Sequence, residues 1–205
     1  MPTPLRLLSI DARTFGRDRA RLAKAIAEAQ PDVACVHRGP HLLRWRTISA
    51  AIGRRSGLVV VGGGRPAGAN LLLSSLAVDV LAVRDVRLQP ASQLDAPGAC
   101  LAALRLRGQE FVLVSATLIG NAAERVAQAR ELQAAIDRLV PSAPPTIISA
   151  QGADRPGTVA WQSLVDSRVG VAGRMFVDAR IDVGEVSEVA GGSAVSPAIA
   201  LELSV

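Results

Sequence analysis

The chain has 205 residues, a net charge of +5 at neutral pH and a hydrophobic fraction of 49%. This composition excludes a disordered chain, because so apolar a sequence can bury enough surface to offset its conformational entropy, and the length suits one domain over residues 1–205. No apolar run reaches the roughly 18 residues of a membrane span and no secretory signal is evident, so a cytoplasmic protein without membrane contact is predicted.

The first third of the chain alternates strand and helix patterns. Apolar residues at helical spacing precede Pro31, which ends the first helix, and a buried strand follows it. The predicted elements are a strand over Leu5–Ile10, a helix over Arg17–Gln30, a strand over Val33–Val36, a helix over Leu42–Arg55 and a strand over Leu58–Val61.

The middle of the chain favours antiparallel hairpins, since strand-like runs follow one another across short turns. These runs are Asn70–Ser75, Ala77–Leu88, Ala99–Arg107 and Phe111–Ala116; a long helix over Asn121–Val140, a short helix near Trp161–Val165 and late strands over Met175–Val177, Arg180–Val186 and Ala198–Leu203 complete the prediction. Strand–helix pairs at the start, hairpins in the middle and strands at the end predict an α/β (α+β) four-layer sandwich: two packed mixed β-sheets flanked by helices.

The stretch Pro145–Trp161 carries a family resemblance. An apolar strand runs into a turn of small residues, a Pro-Gly step and a helix start, and the framework segments Pro31-Asp32-Val33 and Arg180-Ile181-Asp182 occur in matching order. These segments resemble the endonuclease/exonuclease/phosphatase superfamily, the fold of pancreatic deoxyribonuclease and the abasic-site nucleases. The resemblance covers nearly the whole chain and implies the same four-layer sandwich.

The resemblance also places the family's site positions, and most of them hold other residues here. They are Asp11, Arg38, Thr117, Gln151, Ala153, Asp182, Ala194 and Val195. The family has an Asn at the first position, a metal-binding Glu at the second, a His at the third, an Asp and an Asn at the next two, and an Asp-His pair at the last two. Asp182 alone is kept, where the resemblance implies that it orients the catalytic histidine.

These substitutions predict a pseudoenzyme: a non-catalytic member of the superfamily that keeps the fold for binding or assembly, without metal or cofactor. Magnesium prefers carboxylate oxygens, so an arginine at position 38 opposes metal binding. Gln151 cannot ionise to take a proton from water. We further hypothesise that the guanidinium of Arg38 pairs with Asp11 or Asp182 and so replaces the metal and its ligand by an internal ion pair.

Two alternatives stay open. In the first, the chain is a diverged metal-dependent phosphodiesterase or nuclease in which Asp11, Asp154 and Asp182 converge on a divalent ion such as Mg²⁺. In the second, it is a nucleic-acid-binding module without cleavage that uses the basic cluster on the second helix as an anion contact. That cluster consists of Arg44, Arg46, Arg54 and Arg55. The sequence names no partner, so a nucleic acid and a protein both remain open.

The remaining residues of interest are few. The positive charge comes almost wholly from scattered arginines, since Lys24 is the only lysine, a composition typical of a GC-rich bacterial coding genome. His37 and His41 are the only histidines, and we interpret them as strand-end or surface polar residues. Cys35 and Cys100 fall in apolar strands, where they are predicted to be buried free thiols.

Overall fold

The computed structural model of this protein describes residues 4–16, 18–89, 96–140, 142–152, 168–171, 175–193 and 196–205. The strands in these ranges are β1 (Pro4–Asp11), β2 (Val33–His37), β3 (Val59–Gly64), β4 (Asn70–Ser74), β5 (Val78–Arg87), β6 (Gly98–Leu106), β7 (Gln109–Thr117), β8 (Thr146–Gln151), β9 (Arg168–Val171), β10 (Met175–Asp178), β11 (Asp182–Ser193) and β12 (Ser196–Ser204). The α-helices are α1 (Arg19–Ala29), α2 (Trp45–Ser56) and α3 (Ala122–Asp137).

The strands form two six-stranded sheets. The first has the order β11-β12-β1-β2-β4-β3 and the second the order β5-β6-β7-β8-β10-β9. Both sheets are mixed, because β1 runs parallel to β2 and β7 runs parallel to β8 while the other pairs are antiparallel. The predicted architecture of two packed mixed sheets is therefore confirmed.

Alternation along the strands divides the apolar residues into three buried clusters. Inward-facing residues such as Leu7 and Leu113 fill the space between the sheets. Outward-facing residues of the first sheet, such as Leu8, pack on α1 and α2 through Ile26 and Ile52. The outer face of the second sheet packs in the same way on α3. Two helical layers thus cover two sheets, as a period of two in the strands requires.

Most predicted elements have ends within three residues of the observed ones, and two others differ more or lie outside the described residues. The strand predicted over Arg180–Val186 begins at Asp182 and continues to Ser193. Arg180 instead lies in the preceding turn, where its guanidinium binds Asp178 and lowers the pKa of that carboxyl. The helix predicted near Trp161 falls outside the described residues. No helix in the described ranges is both long and apolar enough to span a membrane.

Both cysteines are expected to resist alkylation in the native protein. Cys35 and Cys100 have no exposed surface, and burial raises the pKa of each thiol well above its ordinary value. Because the thiolate is the reactive form, iodoacetamide at pH 8 should leave both residues unmodified until the chain is unfolded in urea. Intact-mass analysis checks this prediction, and carboxymethylation of the folded protein at either residue would contradict it.

Candidate functional site

Four strands bring their last residues together at one end of the sandwich. The parallel register of β1 and β2 places Asp11 beside His37, and that of β7 and β8 places Thr117 beside Gln151. All four side chains are buried or nearly so. Thr117 and Gln151 line the floor of a cleft of about 1270 Å³ at this end, and Arg38, the residue after His37, lines it as well.

Arg38 forms an ion pair with Asp11 at this floor. Its Nε donates to Asp11 Oδ1 at 3.0 Å, and its Nη2 contacts Asp11 Oδ2. The Asp11 side chain is fully buried, whereas 33% of the Arg38 side chain is exposed. The backbone amide of Arg13 also donates to Asp11 Oδ1, at 3.0 Å. The hypothesis that Arg38 pairs with one of the two aspartates is thus confirmed for Asp11.

Asp182 lies at the opposite end of the sandwich, which corrects its assignment as a site residue. It pairs with Ser204, which in turn pairs with Pro4 at the start of β1, whereas Asp11 ends that strand. Seven residues of strand separate the two levels by roughly 23 Å. The cause is β10, which runs antiparallel to β8 away from the cleft, so that the turn before Asp182 falls at the far end.

The residues at the floor do not fit the magnesium ion that the fold family uses. The guanidinium of Arg38 already occupies both carboxylate oxygens of Asp11. In the described part of the chain, no group of three or more acidic, histidine or cysteine side chains is placed to hold a metal. The hypothesis of a site shared by Asp11, Asp154 and Asp182 is wrong for Asp11 and Asp182, which do not converge, and Asp154 lies outside the described residues.

Arginine dominates the walls of the cleft. Among the described residues that line it, eight are arginines and one, Asp18, is acidic. These arginines come from seven separate segments of the chain. They are Arg13, Arg19, Arg38, Arg44, Arg46, Arg65, Arg87 and Arg125. Cationic groups gathered in one concave surface raise the local concentration of anions.

The predicted basic cluster on α2 is divided between two surfaces. Arg44 and Arg46 line the cleft at the start of the helix, where the Arg46 guanidinium lies 4.4 Å from the centre of the Trp45 ring. Arg54 and Arg55 are exposed in the last turn. Ten residues of helix rise about 15 Å, so these two cannot share the anion contact predicted for all four.

Gln151, which lines the cleft, has a side-chain donor without a hydrogen-bond partner among the described residues. Gln151 is 8% exposed, and its Nε2 is buried without a hydrogen-bond partner. A buried amide N–H without an acceptor costs about 1–3 kcal/mol. Because Nε2 itself is buried, it meets an acceptor in the cleft only when the side chain moves, and an anionic oxygen there would then remove that cost.

A network of buried polar side chains lies directly under the cleft floor. His37 Nε2 is 2.7 Å from Ser149 Oγ, and His37 Nδ1 is 3.1 Å from Asn70 Oδ1. Ser9 Oγ is 2.8 Å from Ser149 Oγ, and Thr117 Oγ1 donates to Asn70 Oδ1 at 2.9 Å. These contacts join the first sheet to the second through hydrogen bonds in place of apolar packing.

Sequence reasoning missed this network. His37 is a strand-end residue, as predicted, but it is fully buried, and neither Asn70 nor Ser149 was singled out. Side chains two residues apart on a strand point to the same face, and this alternation was the signal that could have found the network. It places Ser9 on the same face of β1 as Asp11, and Ser149 on the same face of β8 as Gln151. The predicted site positions Ala153, Ala194 and Val195 lie outside the described residues.

Sequence comparison finds no relative, whereas structure comparison finds many. No protein-family model and no curated protein matches the sequence. An endonuclease/exonuclease/phosphatase from Bacteroides vulgatus superposes with a TM-score of 0.74 at 12% identity, over 98% of each chain. The human Nocturnin catalytic domain with bound sulfate anion gives 0.74 at 14% identity, over 98% of this chain and 93% of that one. A mannosyl-6-phosphatase from Bacteroides thetaiotaomicron gives 0.72 at 13% identity, over 97% and 99%.

These likenesses correct one expectation and confirm another. The prediction that the chain is not an enzyme is wrong, because the proteins that share its fold include a phosphatase and a catalytic domain. The predicted fold is confirmed over nearly the full length. This chain has the fold of the endonuclease/exonuclease/phosphatase superfamily.

Proposed function

We propose that this protein is a diverged phosphoester hydrolase whose cleft binds a phosphate-bearing anion without a divalent metal. The observation that carries the proposal is the lining of the cleft, whose described residues include eight arginines, with Arg38 paired to Asp11, and one acidic residue, Asp18. Such a cluster of like charges is unfavourable by itself and is stabilised by an anion. Guanidinium groups suit phosphate in particular, because their paired N–H donors match two phosphate oxygens.

The size of the cleft indicates a ligand larger than a single phosphate. Its volume of about 1270 Å³ exceeds the roughly 300–1,000 Å³ that is usual for a small-molecule site. At the rim, the Trp45 ring and the Arg46 guanidinium form a stacked pair, and Leu42 and Leu43 are 74% and 89% exposed. These residues offer apolar contact to the non-phosphate part of the ligand.

Arginine side chains supply the electrostatic part of phosphoester chemistry in place of the metal. Fixed positive charge stabilises the oxygens on which negative charge develops during transfer, and guanidinium groups do so as metal ions do. Arg38 is held in place for this role by Asp11, and Gln151 Nε2 adds a neutral donor. The phosphatase and the sulfate-bound catalytic domain among the structural neighbours are consistent with an oxyanion as the ligand.

Ligand binding should depend on the arginines at the start of α2 and not on those at its end. Replacing Arg44 and Arg46 together by glutamine is expected to weaken binding of bis(p-nitrophenyl) phosphate about tenfold, since each exposed charge contact contributes up to ~1 kcal/mol. Replacing Arg54 and Arg55 by glutamine removes the same net charge outside the cleft and serves as the control. Titration calorimetry in EDTA measures both affinities.

Three outcomes of this titration carry information. Equal weakening by the two double variants would mean that net charge alone attracts the ligand, which contradicts a site in the cleft. Binding that requires Mg²⁺ would contradict the metal-free proposal, as would release of p-nitrophenolate that EDTA abolishes. Contact with nucleic acid stays a prediction; a single-stranded oligonucleotide bound by the same arginines would lose affinity steeply as salt rises.

A further inference from the structure

The hydrogen bonds under the cleft floor define which atoms carry protons. Asn70 Nδ2 donates to the backbone carbonyls of Ala67 and Gly98 at 2.8 and 2.9 Å. These two bonds fix the orientation of the amide, so that Oδ1 faces His37 and Thr117 as an acceptor. The imidazole of His37 must therefore donate from Nδ1 to Asn70 Oδ1, and the neutral ring holds its lone pair on Nε2.

The lone pair of His37 Nε2 faces a serine hydroxyl. Two serine oxygens lie near Nε2, Ser149 Oγ at 2.7 Å and Ser9 Oγ at 3.3 Å. We assign the donor role to Ser149 because its oxygen is the closer one, and Ser9, 2.8 Å from Ser149 Oγ, is then the donor of the bond between the two serines. A hydroxyl bonded to an imidazole whose second nitrogen is held by an oriented acceptor is the arrangement that activates a serine nucleophile. The hydroxyl, the imidazole and the orienting amide of this arrangement belong to Ser149, His37 and Asn70, from β8, β2 and β4.

We propose that Ser149 is a nucleophile for phosphoester cleavage, with His37 as its general base and Asn70 as the residue that orients the imidazole. The inference rests on the proposed function only for the class of substrate. In the first step Ser149 Oγ bonds to phosphorus, its proton moves to His37 Nε2, and the bond from phosphorus to the leaving oxygen breaks. The protonated His37 then gives that proton to the leaving oxygen.

The second step restores the enzyme. Water attacks the phosphoserine phosphorus, His37 Nε2 accepts the proton of that water, and the Oγ–P bond breaks. The proton on His37 returns to Ser149 Oγ, so the net reaction consumes one water and releases an alcohol and a phosphate. All the required groups are side chains of this protein or solvent, and no metal or redox partner enters the balance.

Gln151 separates Ser149 from the cleft. The two residues share one face of β8 two positions apart, and Gln151 lines the cleft whereas Ser149 is fully buried. Because Gln151 Nε2 has no hydrogen-bond partner, moving this side chain toward solvent breaks no bond of that amide nitrogen and gives it water as an acceptor. We therefore treat Gln151 as the gate through which a phosphorus centre reaches Ser149 Oγ.

A fluorophosphate tests the hydrogen-bonded set Ser149, His37 and Asn70, called the relay below, without the natural substrate. Diisopropyl fluorophosphate loses fluoride when a serine oxygen attacks its phosphorus, and peptide mass mapping locates the modified residue. We expect modification at Ser149 in the wild-type protein, a rate about tenfold higher in Gln151→Ala, and none in Ser149→Ala. Ser74→Ala is the matched control, because Ser74 is equally buried at the end of β4 and its Oγ makes no hydrogen bond within the described part of the chain. This variant should react as the wild type does.

The possible results separate this inference from the proposed function. If neither the wild type nor Gln151→Ala reacts while circular dichroism shows both folded, the relay is not a nucleophilic site, whatever the cleft binds. Modification at another serine would also overturn it. Conversely, modification of Ser149 together with no binding of phosphate esters would support the relay and contradict the proposed ligand.

Discussion

Replacing Asn70 with alanine is expected to lower the free energy of unfolding by about 3–5 kcal/mol, because the change leaves several buried partners without a hydrogen bond. Asn70 has no exposed surface and bonds to groups on both sheets. Its amide nitrogen donates to Ala67 and Gly98, and its oxygen accepts from His37 and Thr117. No alanine side chain can replace any of these contacts.

Asn121 provides the matched control for this measurement. It caps α3, where its side chain accepts from the backbone amide of Glu124 at 3.0 Å, but it is exposed to solvent. Asn121→Ala should therefore cost only about 1 kcal/mol. Urea unfolding of both variants measures the difference, with an unchanged slope as evidence that compactness is preserved. Equal losses would show that water replaces the Asn70 contacts, and that the network does not bind the sheets together.

The fold was predictable because its signals are local. Each buried strand is a short apolar run between turn residues, and the Pro31-Asp32-Val33 framework precedes a strand that the structure places at Val33–His37. The ion pair at the floor was hypothesised from the family resemblance, which places Arg38 where the family has its metal-binding Glu. The structure brings Arg38, the residue after β2, next to Asp11, the last residue of β1, because these two strands run parallel and adjacent. Parallel neighbours end at the same edge of a sheet, so charges after both strands meet there.

The candidate site was less predictable because it depends on register between distant strands. The arginines of the cleft are spread from Arg13 to Arg125, and nothing in their spacing shows that they converge. Asp182 was misplaced because a motif match ignores strand direction: β10 turns the chain away from the cleft before that residue. The relay forms only because the two sheets face each other. The alternation of side chains along a single strand does not show which strands of the other sheet it will face.

The ion pair between Asp11 and Arg38 should show strong coupling in a double-mutant cycle. Arg38→Met leaves the fully buried Asp11 carboxylate without its guanidinium, and we expect a loss of about 3 kcal/mol in the free energy of unfolding. Asp11→Asn should cost about 1 kcal/mol, since its oxygen still accepts from the Arg13 amide and 33% of the Arg38 side chain is exposed to water.

The double variant distinguishes an internal replacement for a metal from a simple surface salt bridge. When Asp11→Asn and Arg38→Met are combined, no buried charge remains at that position, so the combined loss should be smaller than the sum of the single losses by about 2 kcal/mol. Additive losses would contradict the pairing.

Magnesium offers a second check on Arg38→Met, because one carboxylate at the floor is too few ligands for a hard cation. An ion that binds only the folded protein raises its unfolding temperature. Thermal unfolding of Arg38→Met in about 5 mM Mg²⁺ should therefore give the same midpoint as unfolding without Mg²⁺. A raised midpoint would mean that the floor still forms a metal site once the guanidinium is removed.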